Sequence, residues 1–175
     1  VKTEPDAAKH VQQSQILVPT NTPGFENIRP MQVFSMDDAP HGHMHQKFTN
    51  VRVPKENILL GSGRGFEISQ VRLGPGRIHH CMRLIGCAQR SLELACVRVE
   101  SRTTFGRTLS QHQSIREDIA RCFAEIEQSR LLTLMTADKM DREGAKESRD
   151  LIAASKISVP LMAQSVIDRC MQMHG

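Results

Sequence analysis

Tryptophan and tyrosine are absent, and six phenylalanines bring the aromatic share to only 3%. Proteins that read nucleic acid stack bases on aromatic side chains and lay a basic stripe along the backbone. Here the lysines and arginines are scattered, so the net charge of +4 suits a small anionic ligand and excludes a nucleic-acid reader. No C-x-x-C pair occurs among Cys81, Cys87, Cys96, Cys122 and Cys170. Their odd number and their fit to the apolar faces of helices point to reduced thiols in an intracellular protein. No unbroken apolar run reaches the ~18 residues of a membrane span. The polar stretch from Val1 to Gln13 carries no cleavable signal pattern. Because the chain starts at Val1 without an initiating methionine, it reads as part of a longer protein.

What is present divides near Leu60. Before it, short strand-like runs alternate with turn signals: Gln15–Val18, Met31–Phe34 and Lys47–Val53, with a turn at Thr22-Pro23-Gly24. That is too little β structure for an independent domain. After Gly61-Ser62-Gly63 the period changes from two to 3.6. A first helix is expected from Pro75, a residue suited to a first turn, with Ile78, Cys81, Met82, Ile85, Ala88, Leu92, Ala95, Cys96 and Val99 inward. A second begins at the capping-box spacing of Ser110 to Gln113 and buries Ile115, Ile119, Cys122, Phe123, Ile126, Leu131, Leu134 and Met135. Gly144 closes that hairpin. The third turns Leu151, Ile152, Ile157, Met162, Val166, Ile167 and Cys170 inward, and Pro160 should interrupt and kink it. The expected fold class is therefore mixed. A partial β domain over 1–60 is followed over 61–175 by an antiparallel all-α bundle that lacks its fourth helix.

Several segments stand in a recognisable order. Phe48-Thr49-Asn50-Val51-Arg52-Val53-Pro54 is followed by Glu56-Asn57-Ile58-Leu59-Leu60-Gly61 and by Gly63-Arg64-Gly65-Phe66. Gly74-Pro75-Gly76-Arg77 comes next, then Arg102-Thr103-Thr104-Phe105-Gly106-Arg107, His112-Gln113, and Gln172-Met173-His174-Gly175. Together they resemble the FAD-dependent acyl-CoA dehydrogenase family, from its middle β-barrel domain through the third helix of its C-terminal bundle. The run from Gly61 to Cys81 is most similar to the branch at the end of long multidomain proteins that carry a kinase-like domain.

The resemblance implies oxidation of an acyl-CoA thioester to its trans-2-enoyl product, with electrons passed to electron-transfer flavoprotein. It also implies a homodimer or tetramer with FAD at the subunit interface, and a mitochondrial location (peroxisomal, or cytoplasmic if bacterial, being the alternatives). An acyl-CoA oxidase relative and a non-catalytic helical interaction module are the rival readings.

Arg102, Thr103 and Thr104 fall between the first two helices, where a forked guanidinium and hydroxyls can hold a diphosphate. An ordinary solvated helix terminus would also attract an arginine. In the family, these positions and Phe105, His112, Gln113, Gln172 and Gly175 lie along FAD. Gly74, Pro75, Gly76 and Arg77 match the segment that touches the CoA and acyl portions of the substrate, although many members carry aspartate where Gly74 stands. Members place the catalytic base either on the first helix or beyond the fourth. Gly76 occupies the first-helix position and no carboxylate lies between Glu67 and Glu93, so no catalytic residue is assigned and the base is expected beyond Gly175. His41, His43 and His45 share one face of an extended segment, but a closed zinc site needs about four ligands and no cysteine is near in sequence. No metal site is expected.

Overall fold

A computed structural model describes every residue from Val1 to Gly175. The chain forms two compact units, Val1–Ser69 and Gln70–Gly175, divided inside the first long helix, whereas the change of sequence period stands at Leu60.

In the first unit, β1 (Phe25–Pro30) and β2 (Met44–Phe48) form a two-stranded antiparallel sheet that pairs Phe25 with Phe48 and has a bulge between Asn27 and Arg29. Gly24 sets this pairing. It sits at φ +87°, and a Cβ there would collide with the Thr49 carbonyl oxygen, so only glycine allows the close approach. The Thr49 N–H then donates to the Gly24 carbonyl at 2.8 Å, and the Phe25 and Phe48 rings pack 5.1 Å apart.

The strands are not those expected. Gln15–Val18 makes only an isolated bridge, Ile16 to Ile58. Met31–Phe34 turns back on itself through Phe34 and Ser35, both left-handed, to bridge Val33 with Met36. Lys47–Val53 yields a strand that starts earlier and stops at Phe48. The cause is shared: nearly every residue of β1 and β2 is exposed, so no inward-outward alternation marks them in sequence.

The second unit is helical. α1 runs from Gly65 to Ser101, α2 from Gln113 to Glu143 and α3 from Arg149 to His174. Cys81, Ile85, Ala88, Leu92, Ala95 and Val99 recur at three- and four-residue steps along α1. They meet Cys122 and Ile126 of α2 and Val159, Met162, Ala163, Val166, Cys170 and Met173 of α3 in one core. Fully buried Ile85, Ile126, Val159 and Val166 contribute about 1.5–3 kcal/mol each. All five cysteines are free thiols.

Three expectations about the helices need correction. Pro75 lies inside α1, not in its first turn. The carbonyl it leaves unbonded belongs to Val71, an exposed residue, where water can take the lost bond. Pro160 likewise sits within a continuous α3, and its i−4 partner, Lys156, is exposed. The capping box does not form. Ser110 is held in a 3-10 turn, Leu109–Gln111, bonded to Thr108 Oγ1 at 2.9 Å, and Gln113 donates to Glu117 at 3.2 Å. His112 occupies the cap, but its side chain bonds none of the helix's first N–H groups.

The buried stripe also differs. Phe123, Leu131, Leu134, Met135 and Ile157 are exposed, while Ser129, Thr133, Thr136 and Ser155 are buried. The two threonine hydroxyls are satisfied within their own helix, Thr133 donating to the Ser129 carbonyl at 2.8 Å and Thr136 to the Leu132 carbonyl at 2.7 Å. α3 is long and apolar enough, by length and composition alone, to cross a membrane. Val159, Met162, Ala163, Val166, Cys170 and Met173 pack in the core with α1 and α2, while Ile157, Leu161 and Met171 are exposed.

Candidate functional site

Alternating helix directions bring the end of α1, the start of α2 and the end of α3 to one end of the bundle. Between α1 and α2 the chain makes a minimal hairpin, β3 (Thr103–Thr104) against β4 (Arg107–Thr108), with Thr103 opposite Thr108 and Thr104 opposite Arg107. Phe105 at φ +52° and Gly106 at φ +77° form the I′-type turn that a two-residue loop favours. The Arg102 N–H donates to the Arg98 carbonyl at 3.0 Å, and the Leu109 N–H to the Arg102 carbonyl at 2.9 Å. These bonds fix the hairpin to the last turn of α1. Arg102 and Thr103 are exposed, Thr104 is half-buried, and the Phe105 ring is 98% exposed.

His112 ends this segment. Arg107 Nη2 donates to its Nδ1 at 3.2 Å, which leaves the imidazole proton on Nε2. That atom is enclosed and has no partner. Across the bundle end, Arg98 Nη2 donates to the carbonyl of His174 at 3.2 Å, and the enclosed Arg98 Nε also lacks a partner. Gln172 and Gly175 flank that carbonyl, and Gly175 takes φ +111°. The structure therefore brings together the expected Arg102–Gln113 and Gln172–Gly175 segments. None of the chain's ion pairs uses Arg98, Arg102, Arg107 or Arg116. Arg116 spends its Nε on the Ser110 carbonyl at 2.7 Å.

Gly74, Pro75, Gly76 and Arg77 lie elsewhere. They sit near the opposite end of α1, about 36 Å from its C-terminus at 1.5 Å per residue. Gly74 and Arg77 line a groove of about 400 Å³ with Val71, Ala145, Lys146 and Arg149. Gly74 is buried there, and a Cβ would lie 3.0 Å from Ala145 Cβ, so its bareness admits the α2–α3 turn. Pro75 lines a neighbouring hollow of about 550 Å³ beside Ile78 and Met140. Apart from its own turn of helix, no atom stands within 4 Å of where a Gly76 side chain would begin.

Sequence motifs did not single out Lys146, Arg149 or Arg98. His41, His43 and His45 remain exposed side chains. On α1, His80 is pushed below its ordinary value, chiefly by the Arg83 guanidinium beside it.

This end of the helical unit thus presents arginines without carboxylate partners, a donor set suited to an anion. Residues 63–175 match the family model "Acyl-CoA dehydrogenase, C-terminal domain". Acyl-CoA dehydrogenase family member 10 of Mus musculus is 56% identical over 174 residues, which are 99% of this chain and 16% of the mouse protein. A Mycobacterium abscessus protein described as an acyl-CoA dehydrogenase superposes with a TM-score of 0.88 at 43% identity, over 98% of this chain and 42% of that one. PigA, solved with FAD and proline, shares the fold at a TM-score of 0.85 and 22% identity, over 99% of this chain and 44% of its own. The chain belongs to the acyl-CoA dehydrogenase family, a family of FAD-dependent oxidoreductases. It spans less than half the length of these relatives. The residues present fit the diphosphate of such a cofactor: Arg102, exposed and in no ion pair, is a charged donor at the bundle end, behind which the nitrogens of Arg98 and His112 lie enclosed without partners.

Proposed function

We propose that the protein carrying this chain dehydrogenates an acyl-CoA thioester to its trans-2-enoyl-CoA and passes the electrons to electron-transfer flavoprotein. The observation that carries the reading is the meeting of the Arg102 hairpin with the Gln172–Gly175 end, where four arginines have no carboxylate partner. Bound FAD supplies the hydride acceptor. Arg102 holds the diphosphate with a forked, charge-assisted donor set, while Thr103, Thr104, His112, Gln113 and Gln172 orient it. Phe105 and Gly175 flank it with a ring and a bare backbone.

The Gly74–Arg77 groove takes the substrate, its cations facing the phosphates of CoA and its apolar wall, Val71 and Ile152, facing the pantetheine and acyl stem. No carboxylate stands between Glu67 and Glu93, so the group that removes the α proton comes from another part of the protein. Because the two sites lie at opposite ends of α1, one chain serves two different catalytic centres. That arrangement suits a homodimer with FAD held across the interface, paired again into a tetramer. Residues 1–60 belong to the β domain and 61–175 to the bundle, in an enzyme of mitochondrial fatty-acid oxidation.

The test is Arg102→Ala in the full-length protein. Loss of a charge-assisted phosphate contact of about 1.5–3 kcal/mol weakens FAD binding roughly ten- to a hundredfold. Flavin occupancy after dilution and gel filtration reads this directly. Unchanged occupancy with a lowered melting temperature would mean that Arg102 only caps the end of α1.

A further inference from the structure

Two helix C-termini, those of α1 and α3, stand at the end of the bundle assigned above to the FAD diphosphate. Each presents carbonyls without helical partners and the negative end of a macrodipole, equivalent to about half an elementary charge. A diphosphate brought there would meet like charge from both, opposed by only one helix N-terminus, that of α2 at Gln113. One side chain answers both ends. Arg98, in the last turn of α1, donates from Nη2 to the His174 carbonyl, 3.2 Å away and 76 residues on in sequence. Its own carbonyl accepts the Arg102 N–H at 3.0 Å and the Ser101 hydroxyl at 3.0 Å. No carboxylate pairs with its charge, and its Nε is enclosed without a partner.

We infer that Arg98 is a positioning residue for the dinucleotide, a role that rests on the FAD reading and extends it. Its backbone anchors Arg102, its side chain anchors the end of α3 beside Gln172 and Gly175, and its unpaired charge offsets the field of the carbonyl ends. Arg98 reaches the cofactor through these two segments. A plain packing arginine at the same place would hold α3 without changing how well an anion is received.

The experiment strips FAD from the full-length flavoprotein and titrates it back into the parent and into Arg98→Gln, Arg98→Lys and Arg102→Ala, following flavin absorbance and fluorescence. Arg98→Gln should bind FAD about tenfold more weakly, with the apoprotein melting within about 2 °C of the parent. Arg98→Lys, which keeps the charge and can reach a carbonyl, should stay within about threefold. If Arg98→Gln matches the parent while Arg102→Ala loses affinity, the inference falls and the FAD reading stands. If neither variant changes FAD affinity, the reading itself falls and the inference with it. Weakened binding that comes with a lower apoprotein melting temperature and is not rescued by lysine would reduce Arg98 to packing and overturn the proposal.

Discussion

Arg169 of α3 and Glu125 of α2 face each other as two parallel forks, Nη1 to Oε2 and Nη2 to Oε1, both at 2.9 Å. Arg169 also donates to Ser165 Oγ at 2.9 Å and to Cys122 Sγ at 3.6 Å, and the bonds to Glu125 raise its guanidinium pKa further above its ordinary range. The side chains are 25% and 33% exposed, so solvent screens the pair in part. Glu125→Gln should destabilise the bundle by about 1–2 kcal/mol, above an exposed pair and below a buried one. A double-mutant cycle with Arg169→Met in urea unfolding should return a coupling above about 0.5 kcal/mol. Additive losses would show that the fork contributes nothing of its own.

Thr136 and Ser155, both fully buried, share a hydrogen bond of 3.0 Å between α2 and α3. Thr136 spends its hydroxyl proton on the Leu132 carbonyl at 2.7 Å, so Ser155 must be the donor between them. The substitutions should therefore be unequal. Thr136→Val strands a buried hydroxyl and should cost about 1–3 kcal/mol, whereas Ser155→Ala leaves Thr136 bonded and should cost about 1 kcal/mol or less. Equal losses in thermal unfolding would reverse the assigned direction of the bond.

Cys170 is pushed up to about 11 from an ordinary 9.0, first by burial and then by Cys122 nearby. In the unfolded chain the thiol loses its proton near 9.0, and in the folded chain only near 11. The folded state thus holds more protons across that window, and stability must fall as pH rises through it. Cys170→Ala should flatten the fall in melting temperature between those pH values. In the same protein, exposed Cys87 should react with a thiol reagent well before Cys81, Cys122 and Cys170, whose reaction should require unfolding. Equal reaction rates in the native state would contradict the burial.

The three helices were legible because Cys81, Ile85, Ala88, Leu92, Ala95 and Val99 repeat with the period of a helix and all are buried. Their boundaries were less so. Pro75 and Pro160 look like breaks, yet each releases only the carbonyl of an exposed residue, which water can bond. On α2 the sequence marks Phe123, Leu131, Leu134 and Met135 as core, while the buried positions fall on Ser129, Thr133 and Thr136. The hydroxyls of Thr133 and Thr136 bond back to their own helix and so behave as small apolar groups, which no hydrophobicity pattern registers. At the bundle end, motif resemblance pointed to Arg102 and Gly175. Arg98 carries no motif, because what distinguishes it is a contact to a carbonyl that lies far away in sequence.

Phe105 closes the hairpin in a left-handed conformation that favours glycine or asparagine, with nearly its whole ring in water. Judged by the folding of this chain alone, the residue is a double penalty, in backbone strain and in wet hydrocarbon. A library screened only for thermal resistance should shed it early, in favour of the Asn-Gly sequence that such turns prefer. A library screened for work done in the complete enzyme should keep it. The divergence of those two outcomes at a single codon would separate what the bundle needs from what its surroundings ask of it.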